Sequence, residues 1–211
     1  LGIYAGYKPE SKTSKIIMGG SILGFSMPTF WVGIIFIMIF AVHLGWLPST
    51  GRGEIGTFLG INSSLFTLNG LSHVFLPALN LALFKISSVI RLTRAGTREI
   101  ILQDYITFAR SKGLSEKRIV LVHILKNILI PIVTVVGLEF GSLIAFSTVT
   151  ETVFAWPGMG KLIIDSIYNL DRPVIVAYLM IIVTFFVFLN LIVDILYTFL
   201  DPRVRIKGDS Q

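Results

Sequence analysis

Four long stretches of the sequence are apolar and nearly free of charge: Ile16–Leu47, His73–Ile90, Ile128–Val149 and Val174–Leu200. Crossing a bilayer as a helix takes about 20 apolar residues, and soluble helices of this length normally keep a polar face. With their flanks, the stretches predict membrane spans at about 16–47, 73–95, 125–149 and 174–200. The fold class that this pattern predicts is therefore all-α, a polytopic membrane helical bundle.

The connection between the second and third spans, residues 96–124, is long, polar and basic. Within Asp104–Pro131 the pattern predicts a short helix over Asp104–Lys112, a break at residues 113–115 and a second helical start at Glu116–Arg118. The glycine at the break permits a sharp turn. Because reversing the chain between two helices needs far fewer residues, we interpret this segment as a docking element offered to a partner.

The connection after the third span has a pattern of its own. Trp156–Gly160 (WPGMG) predicts a rigid turn, and Lys161–Asn169 then places apolar residues at helical spacing. Two interpretations of this short helix stay open. It lies on the outer membrane surface and meets an external partner, or it is a lipid-facing re-entrant connector.

The distribution of charge orients the spans. The chain carries 18 Lys and Arg against 12 Asp and Glu, a formal net charge of +6. Fourteen of the basic residues fall in segments that four spans would place on one side: Lys8, Lys12, Lys15, Arg91, Arg94, Arg98, Arg110, Lys112, Lys117, Arg118, Lys126, Arg203, Arg205 and Lys207. Only Arg52, Lys161 and Arg172 fall on the other side. Because cytoplasmic segments collect Lys and Arg, we expect both termini and the basic connection to be cytoplasmic. The excess of positive charge thus indicates which segments face the cytoplasm, and it gives no reason to expect a nucleic-acid partner.

Composition narrows the chemistry. The chain is 54% hydrophobic and 14% charged, with a mean hydropathy of +0.81, whereas soluble domains carry about 25% charged residues. Cysteine is absent, which excludes disulfides and thiolate metal sites. His43, His73 and His123 lack the paired spacing of a metal site. We therefore expect no metal site and assign the histidines to polar interfaces.

Three ionisable residues fall inside the predicted spans: Lys85, Glu139 and Asp194. Such groups are costly in hydrocarbon and normally face a partner or a water-filled cavity. We hypothesise that Lys85 and Glu139 approach each other near the midplane, as a buried pair that holds two helices together; the alternatives are that they line a path through the membrane or do not pair. Asp194 is expected to anchor the structure. Its candidate basic partners are Arg91, Arg94 and Lys126.

Prolines and the start of the chain add two expectations. Pro28, Pro77 and Pro131 fall near the beginning or middle of a span, where proline kinks a helix.

The chain begins at Leu1, and Leu1–Tyr7 resembles the end of an apolar helix. We therefore expect an upstream part of the protein beyond these 211 residues. No internal repeat of the kind common in secondary transporters is found.

Several segments carry a resemblance to a known family. In order, they are Ser26–Trp31 (SMPTFW), Leu44–Gly51 (LGWLPSTG), His73–Leu83 (HVFLPALNLAL), Asp104–Ser115 (DYITFARSKGLS), Glu151–Gly160 (ETVFAWPGMG) and Asn190–Arg205 (NLIVDILYTFLDPRVR). Through them the chain resembles inner-membrane permease subunits of binding-protein-dependent ABC importers, and in particular the oligopeptide/dipeptide/nickel class. The resemblance implies the type I ABC importer permease fold. It also implies that residues 1–211 are one transmembrane domain, truncated at its N-terminus, in a bacterial or archaeal cytoplasmic membrane.

The resemblance also implies which residues carry function. In that family the basic connection holds a coupling helix that enters a groove of a cytoplasmic ATPase. The general pattern there is Glu-Ala-Ala, three residues and Gly; here Ala109 and Gly113 are kept, but Thr107 and Phe108 stand at the first two positions, which leaves the need for a carboxylate at position 107 open. The implied coupling residues are Asp104, Tyr105, Thr107, Ala109, Arg110, Lys112, Gly113 and Leu114. The implied contacts of an external binding protein are Glu151, Phe154, Trp156, Pro157, Gly158 and Lys161.

The function implied is that of a permease subunit forming half of an ATP-driven import pathway for peptides. Nickel or another chelated metal, glutathione, and a channel or secondary transporter are the alternatives. The implied partners are a second homologous permease, two ATPase subunits that bind ATP and magnesium, a solute-binding protein and membrane lipid. The chain has no GxxxxGK[ST] phosphate loop, and we expect no catalytic residues and no cofactor of its own. An intramembrane enzyme is disfavoured because Lys85 with Glu139 is its only candidate pair, and we expect no serine beside them.

Overall fold

The computed structural model describes residues 1–200, and for residues 144–146, 197, 199 and 200 it describes the backbone alone. The predicted cytoplasmic C-terminal tail, with Arg203, Arg205 and Lys207, lies outside the described residues. Within this range the chain is mainly helical and has one two-stranded sheet. This agrees with the predicted all-α membrane fold.

The elements follow one another in a simple order. The helices are α1 (Gly2–Tyr7), α2 (Lys12–Ser26), α3 (Thr29–Phe36), α4 (Leu68–Ile101), α5 (Asp104–Ser111), α6 (Glu116–Arg118), α7 (Leu125–Val153), α8 (Met159–Tyr168) and α9 (Arg172–Leu200). π-Helical turns, Ile37–His43 and Ile119–Ile124, continue α3 and lead into α7. Strands β1 (Gly56–Phe58) and β2 (Ile61–Ser63) pair antiparallel, and a 3₁₀ turn, Ser64–Phe66, leads into α4.

Three of the described helical stretches are long and apolar enough to cross a membrane: Leu68–Ile101, Glu116–Leu143 and Arg172–Leu196. The first predicted span is instead a bent pair, Lys12–Ser26 and Thr29–His43, which passes the same test only when taken together. The break between its two helices falls at Pro28, because a proline cannot donate the next helical hydrogen bond and disfavours helical geometry in the residue before it. Pro77 and Pro131, by contrast, lie inside continuous helices.

The chain divides into two compact units. The first comprises Leu1–Gly24, Ile86–Phe140 and the part of α9 from Phe185 onward. Its core is formed by Ile106, Ala109, Ile119, Ile124 and Ile128, each at most 6% exposed. The N-terminal helix α1 belongs to this unit and packs very closely on α4, since a Cβ on either of its interface glycines would lie 2.6 Å from a threonine Cβ of α4.

The second unit comprises Phe25–Lys85 and Gly141–Thr184. Its centre lies where α3, α4 and α7 meet: Asn80 is 1% exposed and donates to Thr150 Oγ1 at 3.2 Å. Gly33 of α3 approaches so closely that a Cβ there would lie 3.1 Å from Val153 and 3.2 Å from Phe154. The small side chains at this crossing let the three helix backbones come together.

The hairpin of β1 and β2 was not predicted from the sequence. Phe58 pairs with Ile61, so the turn has only two residues, Leu59 and Gly60, with φ of 50° and 79°. Positive φ at both turn positions is the geometry that suits the twist of a tight hairpin. The usual sequence signal is Asn-Gly or Asp-Gly, and Leu-Gly is a weak substitute for it.

Candidate functional site

The basic loop, residues 102–118, contains α5, which packs one face against the core of the first unit and leaves the opposite face exposed. On the inner face of α5, Ile106 and Ala109 are 0% and 6% exposed and belong to the core of the first unit. On the outer face, Tyr105 and Phe108 are 42% and 59% exposed. Lys112 Nζ lies 4.5 Å from the centre of the Phe108 ring, within cation–π range. The helix therefore presents an aromatic and basic surface on a packed base.

The break after α5 is a Schellman motif. Gly113 N donates to Arg110 O at 2.9 Å, and Leu114 N donates to Ala109 O at 3.2 Å, the two bonds that define this helix end. Gly113 has φ of 77°, and no atom lies near the position that its Cβ would take. The glycine is thus needed for its backbone angle and leaves open space around it. Leu114 packs against the core that holds Ala109.

A polar cluster ties the loop to the N-terminal helix. The Tyr7 hydroxyl donates to the Glu116 carboxylate, and Arg110 Nε donates to Glu116 Oε1 at 3.0 Å. The bonds from Tyr7 and then from Arg110 lower the pKa of Glu116 below its ordinary value. Burial, and next the bond to Glu116, raise the pKa of Tyr7. We call these three residues the latch, because they join α1, α5 and α6.

The far side of the loop is joined to α7 through Tyr105. Asn127 Nδ2 donates to Tyr105 Oη at 3.2 Å and to His123 O at 2.6 Å, and the Tyr105 and His123 rings lie 6.4 Å apart. Burial raises the pKa of Tyr105. His123 is half-buried beside the Tyr105 ring, and the assignment of its imidazole to a polar interface stays a prediction.

The predicted coupling residues separate into two groups. Ala109 is buried and Leu114 half-buried, so both support the loop from within. The others are exposed and available to a partner: Asp104, Tyr105, Thr107, Arg110, Lys112 and Gly113.

The turn after α7 is the second feature of interest. α7 ends in another Schellman motif, in which Trp156 N donates to Glu151 O at 2.8 Å and Ala155 takes φ of 46°. Glu151 Oε2 accepts the backbone N–H of Lys161 at 2.8 Å and so caps the first turn of α8. A Cβ on Gly158 would overlap the Glu151 carboxyl group. The turn predicted at Trp156–Gly160 and the helix predicted over Lys161–Asn169 are confirmed, and the helix α8 begins two residues earlier, at Met159.

The predicted contact residues around this turn differ in exposure. Phe154 is 2% exposed and packs inside, whereas Pro157 and Lys161 are exposed and Glu151, Trp156 and Gly158 are half-buried. Five of the predicted residues line one open cavity of about 670 Å³: Glu151, Trp156, Pro157, Gly158 and Lys161. The sequence did not predict the other residues that line it, which are Arg52, Met159, Leu162 and Asp165.

The ionisable residues of the predicted spans have the following places. Lys85 is half-buried and donates to Ser142 Oγ, Glu139 is half-buried, and Asp194 is exposed. The expectation that no serine lies beside Lys85 was wrong, because positions 85 and 142 are brought together only by the packing of α4 on α7. The contact bridges α4 and α7. The pairing of Lys85 with Glu139 and the anchoring by Asp194 stay predictions.

Comparison with known proteins gives consistent results. The family model described as "Binding-protein-dependent transport system inner membrane component" matches residues 1–206. The di/tripeptide transport system permease protein DppB of Pseudomonas aeruginosa is 40% identical over 97% of this chain and 64% of its own length. For the dipeptide transport system permease protein DppB of Escherichia coli K12 the values are 35%, 98% and 66%. For the oligopeptide transport system permease protein AppB of Bacillus subtilis they are 39%, 97% and 63%. The chain thus spans slightly less than two thirds of the length of these relatives.

Proposed function

Because the chain belongs to the family of binding-protein-dependent transport system inner membrane components, we propose that the protein is a permease subunit of an ATP-driven importer and forms half of its pathway for peptides. The observation that carries the proposal is the outer face of α5. An exposed aromatic and basic surface on a rigid base is what a docking element requires, because a compliant loop would bend without moving the helices behind it.

The basic loop is the site of coupling to a separate ATPase. Tyr105, Phe108 and Lys112 contact a groove of the ATPase, while Ala109 and Leu114 hold α5 to its own unit. When the ATPase pair closes on ATP, the push on α5 is passed on through the latch and through the bond of Tyr105 to Asn127. Rigid-body motion of packed helices is the expected response.

The remaining partners follow from the same proposal. A second homologous permease completes the pathway, a solute-binding protein delivers substrate at the turn after α7, and ATP with magnesium is bound by the two ATPase subunits. Only 6% of the apolar stretch of α9 is buried within the chain. This exposed apolar surface supports contact with the second permease or with lipid. In this arrangement the basic loop and the C-terminus face the cytoplasm, and residues 1–211 act as a single domain with the spans predicted above.

Peptides are the favoured substrate class. The names of the three relatives compared above refer to dipeptides, tripeptides or oligopeptides, which favours peptides over nickel, chelated metal or glutathione. The channel and secondary-transporter alternatives are disfavoured, because neither needs a docking element for an ATPase.

The experiment that tests the proposal is co-purification of the ATPase with the full-length protein in mild detergent. We expect wild-type protein to retain the ATPase, and Phe108→Ala combined with Lys112→Glu to reduce recovery at least several-fold. Lys117→Glu is the matched control, since Lys117 is also an exposed cation of the loop but lies outside the outer face of α5. Purification of wild-type protein without any ATPase would refute the importer proposal. Equal losses in the two variants would show that general charge, and not the face of α5, is recognised.

A further inference from the structure

Arg52 is held in a fixed position on the outer side of the second unit. The backbone N–H of Gly51 donates to Phe154 O at 3.0 Å, which ties the segment to the end of α7. On the other side, a Cβ on Gly53 would lie 2.6 Å from His73 Nδ1 and 2.7 Å from Asn69 Oδ1. The arginine backbone is therefore clamped between α7 and the start of α4.

The guanidinium of Arg52 is incompletely satisfied. Its Nε is buried and has no hydrogen-bond partner within the described part of the chain. Guanidinium N–H groups are obligate donors, and leaving one buried without an acceptor is unfavourable. The side chain also lines the cavity of about 670 Å³, so an acceptor that enters this cavity meets the guanidinium of Arg52.

The other charges of the cavity already have partners. Lys161 Nζ lies 3.3 Å from Asp165 Oδ2, and Glu151 Oε2 accepts the backbone N–H of Lys161 at 2.8 Å. Arg52 is left as the positive charge without a counter-ion among the described residues that line the cavity. A carboxylate is the ligand that fits it best, since the planar guanidinium matches a carboxylate with two parallel bonds.

A second cavity shares two lining residues with the first. It measures about 250 Å³ and is lined by Glu151 and Trp156 together with residues of α4 and α7, among them Pro77, Leu81 and Thr150. Most of these additional residues are apolar or small. Because the two cavities adjoin at Glu151 and Trp156, one ligand can occupy both, with its carboxylate at Arg52 in the larger cavity and an apolar group in the smaller cavity.

We propose that the two cavities form a substrate site for a short peptide, in which Arg52 binds the C-terminal carboxylate and the smaller cavity receives an apolar side chain. Glu151 faces both cavities and retains carboxylate lone pairs for the peptide N–H or ammonium groups. The inference rests on the proposed function, because it takes peptides as the substrate class. The new element is that this permease subunit itself binds the C-terminal carboxylate of the peptide.

The first test measures uptake of a labelled alanyl-leucine dipeptide into proteoliposomes that contain the complete transporter and enclose ATP. Arg52→Gln is expected to lower the uptake rate about tenfold, the scale of a charge-assisted pair, and Arg52→Lys to lower it less. Arg172→Gln, which removes an exposed arginine outside both cavities, should match wild type. Basal ATP hydrolysis without peptide should not change in Arg172→Gln.

The outcomes separate the two proposals. If the wild-type transporter takes up no peptide, the proposed function fails whatever Arg52 does. If the wild type is active and Arg52→Gln is equally active, the site is refuted and the function stands. If Arg52→Gln loses capture of the binding protein along with uptake, the arginine pairs with a carboxylate of that protein, and the peptide site is again refuted.

A second measurement uses the wild-type protein and so does not depend on the folding of a variant. A dipeptide that carries a diazirine on an apolar C-terminal side chain is photolysed during turnover, and the labelled residues are mapped by mass spectrometry. We expect labels within residues 74–81 and 147–156, reduced by excess unlabelled alanyl-leucine. Labelling confined to other segments of the chain, or to other subunits, would overturn the assignment.

Discussion

At the scale of single residues, three helix ends share one backbone motif but differ in the residue that makes it possible. Gly113, Ala155 and Leu170 each follow a helix with φ of 77°, 46° and 56°, and each is part of the paired bonds of a Schellman motif. Only Gly113 adopts this left-handed conformation without a steric cost from Cβ. The other two positions therefore store strain that glycine would relieve.

Substitutions at these positions should have opposite signs. We expect Gly113→Ala to destabilise the protein by roughly 1 kcal/mol, and Ala155→Gly to stabilise it by a similar amount, because the left-handed conformation costs an L-residue about that much. The measurement is the apparent melting temperature in detergent of the two variants and of their double mutant. Since open space surrounds Gly113, a fall caused by crowding is not expected. A stabilising Gly113→Ala would contradict the role given to the backbone angle.

Gly158 is required for a different reason, namely space. A Cβ there would overlap the Glu151 carboxyl, so Gly158→Ala should displace Glu151 from the N–H of Lys161 and loosen the first turn of α8. Overpacking of this kind costs about 1–3 kcal/mol. The expected readout is faster tryptic cleavage after Lys161 in the purified protein. Gly19→Ala, at a helical glycine with no atom within 4 Å of its added Cβ, is the control and should cleave at the wild-type rate.

At the scale of elements, the latch gives α1 a structural role that is sensitive to pH. The pKa of Glu116 is lowered in the folded chain from its ordinary 4.5, so its contribution is present above that value and is lost as the pH falls through the lowered pKa. The pKa of Tyr7 is raised from 10.0, so its contribution is present below 10.0 and is lost as the pH rises through the raised pKa. The latch is therefore complete between these limits.

This window predicts the behaviour of amide exchange in α1. At neutral pH, Glu116→Gln should speed hydrogen exchange of residues 4–7 after correction for the intrinsic rate, because the weaker acceptor loosens Tyr7. Lowering the pH through the lowered pKa of Glu116, which lies below its ordinary 4.5, should loosen the same amides in wild type but change the variant little. Lys117→Gln, one position away and outside the latch, serves as the comparison. Identical protection of residues 4–7 in wild type and Glu116→Gln would show that the packing of α1 on α4 alone holds the helix.

The elements also show which features a sequence can predict. Apolar length predicted three of the four long apolar stretches as helices long enough to cross a membrane, while the first is a bent pair of helices. The glycine predicted the break after α5, and Trp-Pro-Gly predicted the turn before α8, because each signal is local. The bonds from Tyr7 to Glu116 and from Lys85 to Ser142 join residues 109 and 57 positions apart, and no local pattern marks such partners. Arg52 was noted only as a charge on the outer side, because its missing acceptor becomes visible only once α7 and α4 are packed around it.

At the scale of the whole molecule, the asymmetry of basic residues predicts an orientation that the proposed coupling needs. The basic loop must face the cytoplasm to meet an ATPase, and the β1–β2 hairpin must then lie outside. Leu59 at the hairpin tip is 87% exposed, and Ser115 beside α6 is exposed as well. Because the 211 residues contain no cysteine, a single cysteine introduced at either position is the only thiol of this region.

Labelling with a membrane-impermeant maleimide tests this orientation directly. In spheroplasts of cells that express the full-length protein without its other cysteines, we expect Leu59→Cys to be labelled at once. Ser115→Cys should be labelled only after the membrane is permeabilised, and Ser21→Cys, at a position 3% exposed, should react poorly in both conditions. Labelling of Ser115→Cys in intact spheroplasts would place the basic loop outside, where no ATP is available, and docking of α5 on an ATPase would be excluded. Labelling of Leu59→Cys alone would place the turn after α7, tied to Gly51 by its hydrogen bond, on the side from which a binding protein delivers substrate.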